Sequence, residues 1–112
     1  MNRPTRFYST RQETAVAKAV GGQRTPNSGA AKFVGGDITT DKFLIEAKTA
    51  MSEKQSFSIK KSWLEKNEEE KFAMGKDYSA LVFDFGDNGK RYYVINEQLF
   101  IKLTELLDGE NE

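Results

Sequence analysis

The chain contains 112 residues, with 17 Lys and Arg, 17 Asp and Glu, no cysteine and no histidine. Without cysteine there are no disulfides or thiolate metal ligands, and without histidine there is no imidazole ligation and no Ser-His or Cys-His catalysis. Any catalysis therefore uses carboxylates, lysine, tyrosine or a bound metal. The length predicts a single domain with a modest core that gains from a partner subunit. No apolar run approaches the roughly 18 residues of a membrane span, so we expect no membrane contact.

The neutral net charge conceals two halves of opposite sign. Residues 1–61 contain 11 Lys and Arg against 5 Asp and Glu, a net charge of +6. Residues 62–112 contain 6 against 12, a net charge of −6. This pattern excludes a uniformly basic nucleic-acid-binding protein, but it allows one basic face built from the first half.

The first half predicts an arm, a helix, a loop and two strands. Residues 1–9 have the composition of a flexible basic arm. The capping-box spacing at residues 10–13 starts a weakly apolar helix. Residues 21–30 are rich in Gly, Pro, Asn and Ser and predict a loop. Residues 32–39 and Phe43–Lys48 predict two strands that a polar turn joins in an antiparallel hairpin.

The second half predicts a helix, a second hairpin and a final helix. Residues 58–74 predict a long, highly charged helix that begins at a serine cap and stops at a glycine. Residues 78–85 and 91–95 predict two strands, joined by a hairpin turn at residues 87–89. Asn96 then caps a final amphipathic helix.

These elements give an α/β fold with a central mixed four-stranded sheet, flanked by helices in the order αββαββα. One domain covers residues 10–108, and residues 109–112 form an acidic tail. We expect Trp63, Phe72 and Met74 in the core or at a dimer contact. The final helix is expected to cover the sheet or a partner subunit.

Three charged residues lie close to the first, apolar hairpin. Glu46 and Lys48 end an apolar strand, where alternation places both on one face. The neighbouring strand can bring the carboxylate of Asp37 beside them. Two carboxylates and an ammonium at one point suit a divalent cation and a phosphate.

A purely structural alternative exists for each of these residues. Glu46 and Lys48 can pair with each other at an open sheet edge. Asp37 can accept backbone hydrogen bonds in a turn, and Glu13 can serve as the N3 residue of a capping box.

The order of the charged residues resembles the PD-(D/E)XK nuclease superfamily, and more narrowly the Holliday junction resolvases of the archaeal and bacterial RecU-type group. The resemblance is carried by Glu13, Asn27-Ser28-Gly29, Gly36-Asp37-Ile38 and Ile45-Glu46-Ala47-Lys48. Weaker motifs extend it through the second half, so that in all it covers about residues 10–96. It implies a restriction-endonuclease-like core. Glycine rather than proline precedes Asp37, and the loop at residues 21–30 is shorter than in the bacterial resolvases.

The resemblance also implies a role for each site residue. Asp37 and Glu46 would bind Mg²⁺, for which Mn²⁺ substitutes, and the Ala47 carbonyl would be a further ligand. Lys48 would position the attacking water and stabilise charge on the phosphate. Glu13 would join this site directly or through a water. The implied catalytic residues are Glu13, Asp37, Glu46 and Lys48.

Basic side chains of the first half are expected to contact DNA phosphates, and the resemblance adds Ser28 beside the scissile phosphate. The other candidates are Arg11, Arg24, Lys32, Lys60 and Lys61. No helix-turn-helix, zinc-finger or aromatic stacking motif is evident in the sequence. Recognition of backbone shape, as at a branched junction, is therefore favoured over base readout.

The resulting hypothesis is a Mg²⁺-dependent, structure-selective endonuclease, a Holliday junction resolvase of recombination, repair or phage DNA processing. It would act on branched or duplex DNA as a homodimer, in the cytoplasm, which is the host cytoplasm if a phage encodes it. One alternative is a restriction-type, nicking or repair nuclease of the same superfamily. The other is a nuclease-fold protein that binds DNA or a partner without cutting.

Overall fold

The computed structural model describes the backbone of residues 5–25, 37–50, 52–86 and 89–109, and side chains over the same ranges except at residues 5–9 and 37. This part of the chain is α/β, with three helices and a five-stranded mixed sheet. Its elements are α1 (Thr5–Val20), β1 (Gln23–Arg24), β2 (Asp37–Thr39), β3 (Phe43–Lys48), α2 (Lys61–Ala73), β4 (Tyr78–Phe83), β5 (Tyr92–Val94) and α3 (Glu97–Gly109).

The strands lie in the order β1-β2-β3-β4-β5, and every neighbouring pair is antiparallel except β3 and β4, which are parallel. The predicted antiparallel hairpin of β2 and β3 is confirmed. Helix α2 crosses between the two parallel strands. Since a helix in such a crossover runs back along the sheet, its first turn lies near the carboxyl ends of the strands.

The predicted four-stranded sheet is wrong, because β1 adds a fifth strand in the described part of the chain. β1 has only two residues, and they are polar, so no hydrophobic alternation marks them. They pair with Ile38 and Thr39. A Cβ on Gly22 would lie 2.5 Å from the carbonyl oxygen of Thr39, so the close approach of the two segments requires glycine at that position.

Alternation along β3 divides the interior into two layers. Ile45 and Ala47 belong to a buried apolar cluster with Val16 of α1 and residues of the flanking strands. Leu44 is fully buried on the opposite face, where α2 packs against β3 and β4. Glu46 shares that face with Leu44, because the side chains of a strand point alternately to its two sides.

Polar contacts attach α2 to the sheet. Its buried residues are Asn67 and Lys71, whereas Leu64 and Phe72 are exposed. The Asn67 Nδ2 donates a hydrogen bond to the Ala80 carbonyl at 3.0 Å. Glu68 accepts hydrogen bonds from Lys71 and, at 2.7 Å, from the Ser79 hydroxyl. The Lys71 hydrogen bond holds the pKa of Glu68 below its usual value.

Several predicted element ends are confirmed, and others move. The Asn96 Oδ1 accepts the Leu99 N–H at 2.8 Å and caps α3, and α2 stops before Gly75, whose φ is +70°. Helix α1 begins at Thr5, inside the predicted arm. Helix α2 begins at Lys61 rather than Ser58, with extended backbone at residue 60.

Helix α3 is amphipathic, but only Leu99 of its large apolar side chains is buried. Five others, Phe100, Ile101, Leu103, Leu106 and Leu107, are exposed. None of the helices in the described ranges is long and apolar enough to cross a membrane. The predicted turn at residues 87–89 and the acidic tail lie largely outside the described residues.

The first prediction concerns the attachment of α2. Replacing Asn67 by alanine removes the hydrogen bond to the buried Ala80 carbonyl, so we expect the free energy of unfolding to fall by about 1–3 kcal/mol. Asn67→Asp is expected to lose more, because a carboxylate would face a carbonyl oxygen.

Urea denaturation measures both changes. Glu69→Ala, on the exposed side of the same helix, is the control and should stay within about 0.5 kcal/mol of wild type. Equal stability of Asn67→Ala and wild type would show that this hydrogen bond does not hold α2 in place.

Candidate active site

Glu46 and Lys48 lie two residues apart on β3, on the face covered by α2. The Lys48 Nζ is 3.0 Å from the Glu46 Oε2, and their side chains are 24% and 12% exposed. The sequence-based alternative of an ion pair between them is therefore observed. This ion pair does not account for all the contacts of the two residues. Glu46 has a second carboxylate oxygen, and Lys48 also contacts the Trp63 ring.

The second oxygen of Glu46 is buried without a hydrogen-bond partner among the described side chains. This atom, Oε1, is one of two such buried atoms in the described residues, the other being the Asn67 Oδ1. Buried polar atoms are nearly always hydrogen-bonded, and a carboxylate oxygen is especially unfavourable when left bare. An oxygen of this kind fits a hard cation such as Mg²⁺, which prefers oxygen ligands.

Asp37 lies directly opposite Glu46 in the backbone register of β2 and β3. Directly opposed positions on antiparallel strands are neighbours on one face of a sheet, typically about 5 Å apart at Cβ. The backbone thus brings together the two positions that the sequence predicts as metal ligands. The Asp37 side chain lies outside the described residues. Within the described side chains, no three Asp, Glu, His or Cys gather as a metal site.

Lys48 is held at both its side chain and its backbone. Its Nζ lies 4.2 Å from the centroid of the Trp63 ring, in the first turn of α2. Its carbonyl accepts a hydrogen bond from the Gln12 Nε2 at 2.9 Å, and the Thr49 hydroxyl donates to the Gln12 Oε1 at 2.6 Å. Buried Gln12 therefore ties α1 to the carboxyl end of β3.

Glu13 pairs with Arg24, which lies in β1. The Arg24 Nε and Nη2 each lie 3.0 Å from the Glu13 Oε1. Glu13 is buried, and Arg24 is about half-exposed. None of the described contacts of Glu13 joins it to Glu46 or Lys48. The structure thus pairs a predicted catalytic residue with a predicted DNA-binding residue.

The remaining predicted site residues lie in different parts of the fold. Lys60 precedes α2 and Lys61 begins it, both exposed, and the Lys60 Nζ lies 5.7 Å from the Trp63 ring. Arg11 is exposed on α1, and the methyl group of Ala47 is in the hydrophobic core. The predicted candidates outside the described residues are Ser28 and Lys32.

The start of α2 is electropositive. No side chain caps it, and Lys60, the residue before its first turn, is basic. Unpaired N–H groups and the helix dipole favour anions at such an end. Together with Lys48, this end of α2 can bind a phosphate group close to Glu46.

Sequence reasoning missed Trp63 and Gln12 as contacts of the site. Trp63 is the only tryptophan, and it follows a polar connection at the start of a crossover helix. That position could have placed it near the carboxyl end of β3. Gln12 has no such signal, because a glutamine beside a capping-box glutamate is unremarkable in a surface helix.

The chain matches no protein-family model, and neither curated proteins nor solved structures give a match.

The second prediction separates Glu46 from Glu13. If Glu46 binds Mg²⁺ in the folded state only, adding Mg²⁺ raises the free energy of unfolding of the wild type. The increase is about 2.7 kcal/mol when the Mg²⁺ concentration is a hundred times the dissociation constant of the site. We expect Glu46→Gln to lose this increment. Glu13→Gln is expected to lower stability without Mg²⁺ by about 1–2 kcal/mol, through the weakened Arg24 contact, but to keep the increment.

Thermal unfolding at constant ionic strength, with Na⁺ in place of Mg²⁺ as the control, measures these changes. If Glu13→Gln abolishes the Mg²⁺ increment as Glu46→Gln does, Glu13 belongs to the metal site and its pairing with Arg24 is secondary.

Proposed function

We propose that this protein is a metal-dependent endonuclease that hydrolyses DNA phosphodiester bonds. The observation that carries the proposal is the buried Oε1 of Glu46, which has no hydrogen-bond partner among the described side chains. Glu46 lies beside Lys48 and opposite Asp37 in the sheet register. A purely structural ion pair explains the Lys48 contact with one carboxylate oxygen, but it leaves the other oxygen without a partner in the described part of the chain. A cation-binding site accounts for both oxygens.

Asp37 and Glu46 would hold the cation, and Mg²⁺ suits them because it takes few protein carboxylates and keeps several waters. When bound, the ion supplies activation of water and compensation of charge on the phosphate, which are the tasks that histidine performs in other hydrolases. Mn²⁺ would substitute for it. We leave Glu13 out of the ligand set, because its Oε1 pairs with Arg24 and no described contact joins it to Glu46 or Lys48.

Lys48 would act on the phosphate and the attacking water. Its ammonium is a fixed positive charge beside the proposed ion, so it can bind a non-bridging phosphate oxygen as negative charge develops. Lys60 and Lys61, at the start of α2, would hold neighbouring phosphates of the same strand. These contacts are all to the backbone, so they give affinity without base specificity.

We take branched DNA, and the four-way junction in particular, as the substrate, following the resemblance of the site residues to Holliday junction resolvases. Such an enzyme would work in recombination, repair or phage DNA processing, in the cytoplasm of the cell or of the phage host. A restriction-type, nicking or repair nuclease uses the same chemistry on another DNA. A non-catalytic DNA-binding protein of this fold would need no cation at Glu46.

The third prediction concerns cleavage. With Mg²⁺, we expect the wild type to cut a labelled four-way junction at least about tenfold faster than a linear duplex of the same sequence, and a chelator to abolish cutting of both. Asp37→Asn and Lys48→Ala should lose at least about a hundredfold in cleavage rate, since each removes a group that acts on the phosphate or the ion.

Binding of the junction in Ca²⁺, measured by gel shift, is the control and should survive in both variants. Equal cutting of junction and duplex favours a restriction-type or nicking nuclease. Binding without cutting by the wild type points to the non-catalytic alternative, and wild-type cutting by both variants rejects the site assignment.

We propose further that the enzyme is a homodimer formed through α3. Resolution of a junction needs two cuts in opposed strands, and a second copy is the source of a second active site. The exposed apolar residues of α3 offer the surface, since one copy leaves Phe100, Leu103, Leu106 and Leu107 exposed. A two-fold pairing of this helix with its copy would bury them.

The fourth prediction tests this assembly by light scattering. We expect the wild type to have twice the 12.7 kDa mass of one chain. Leu106→Lys combined with Leu107→Lys should shift the mass to that of one chain, because paired lysines repel in a buried contact. Glu105→Lys, on the same helix, controls for added charge. A wild type that remains monomeric at high concentration contradicts the assembly, without affecting the chemistry at Glu46.

A further inference from the structure

Among the described residues, the Lys48 ammonium has two partners of different kinds. One is the Glu46 carboxylate at 3.0 Å, and the other is the Trp63 ring, with 4.2 Å between Nζ and the ring centroid. An ammonium within about 6 Å of an aromatic centroid is attracted by the ring, most strongly by an indole, and more so when it is partly buried. Lys48 meets these conditions, since its side chain is only 24% exposed.

The Trp63 ring is itself fixed by its surroundings. Phe57 packs against it with 6.4 Å between the ring centroids, and Phe57 stacks on Phe83 at 4.7 Å. Phe83 is the register partner of Lys48 on the neighbouring parallel strand. Phe57, Trp63 and Phe83 therefore form an aromatic cluster. Phe83 lies on the strand next to Lys48, and Trp63, in α2, contacts the Lys48 ammonium.

The two partners respond differently to a cation. A divalent ion bound to Glu46 would neutralise the carboxylate charge that attracts Lys48, so it would weaken the ion pair between Glu46 and Lys48. The Trp63 ring has no carboxylate that could bind the ion, so its contact with Lys48 does not compete with cation binding. We propose that Trp63 is a positioning residue that keeps the Lys48 ammonium at the site independently of Glu46. Its consequence for cleavage rests on the proposed function, whereas the contact itself does not.

Fluorescence tests the contact without any cleavage. Trp63 is the only tryptophan, so emission excited at 295 nm reports on its ring alone. A nearby ammonium quenches indole emission by excited-state proton transfer, so we expect Lys48→Met to raise the intensity by at least a quarter. Glu46→Gln should keep the wild-type intensity, because the ring retains the ammonium without the carboxylate.

Lys60→Met is the matched control, since the Lys60 Nζ lies farther from the same ring, at 5.7 Å. It should change the intensity less than Lys48→Met does. The proposal is overturned if Glu46→Gln matches Lys48→Met, because Glu46 alone would then hold the lysine. It is also overturned if Lys48→Met leaves the emission unchanged.

Kinetics test the consequence. Trp63→Leu should lower kcat by about 3- to 30-fold with KM for the junction nearly unchanged, because the ring acts on Lys48 rather than on DNA affinity. Trp63→Phe keeps an aromatic face and should recover most of the loss. Phe72→Leu removes an ammonium–ring contact of similar length on the same helix, 4.3 Å from Lys71, and should leave kcat at the wild-type value.

The two arms separate failure of this inference from failure of the proposed function. If the wild type cuts DNA and Trp63→Leu has the wild-type kcat, the positioning role is wrong and the nuclease stands. If the wild type cuts no DNA, the nuclease proposal fails, and the fluorescence of Lys48→Met and Glu46→Gln still decides whether Trp63 holds Lys48. Far-UV circular dichroism confirms that each variant is folded.

Discussion

The alternation of strand β3 is the constraint on which the site depends. Its odd-numbered residues pack into the core beneath α1, so Glu46 and Lys48 must face α2. A slip of one residue would exchange the two sets and bury both charges in the apolar cluster. The Gln12 hydrogen bond to the Lys48 carbonyl fastens the end of this strand, and the parallel pairing with β4 brings the start of α2 to the same place.

The sequence predicts those parts of the fold that local chemistry determines. The hairpin of β2 and β3 follows from two apolar runs around a polar turn, and the caps at Asn96 and Gly75 follow from their hydrogen bonding and backbone freedom. The position of Asp37 opposite Glu46 follows in turn from the hairpin. Strand β1 could not be predicted, because two polar residues carry no pattern and their pairing depends on a close approach at Gly22.

The contacts missed in the sequence are those between residues distant along the chain. The sequence pattern predicts Glu13 as a cap or a metal ligand, whereas in the fold its Oε1 pairs with Arg24. Trp63 reads as a core residue, yet its ring packs against an ammonium and another aromatic ring. Polar and aromatic side chains can make strong contacts with several kinds of partner. The sequence pattern therefore does not predict which partner each of them contacts in the fold.

Stability and chemistry are in conflict at Glu46. The buried Glu46 Oε1 has no hydrogen-bond partner among the described side chains, and a buried carboxylate oxygen left in this way destabilises a fold. The margin of stability is small for a chain of this length, in which α2 is attached largely by polar contacts. Replacing Glu46 and Lys48 by apolar residues of similar size would pack the same face more simply. Proteins tend to retain such local violations where function requires them. A cation at this oxygen would remove the penalty and supply the chemistry together, so the same binding event would complete the fold and activate the site.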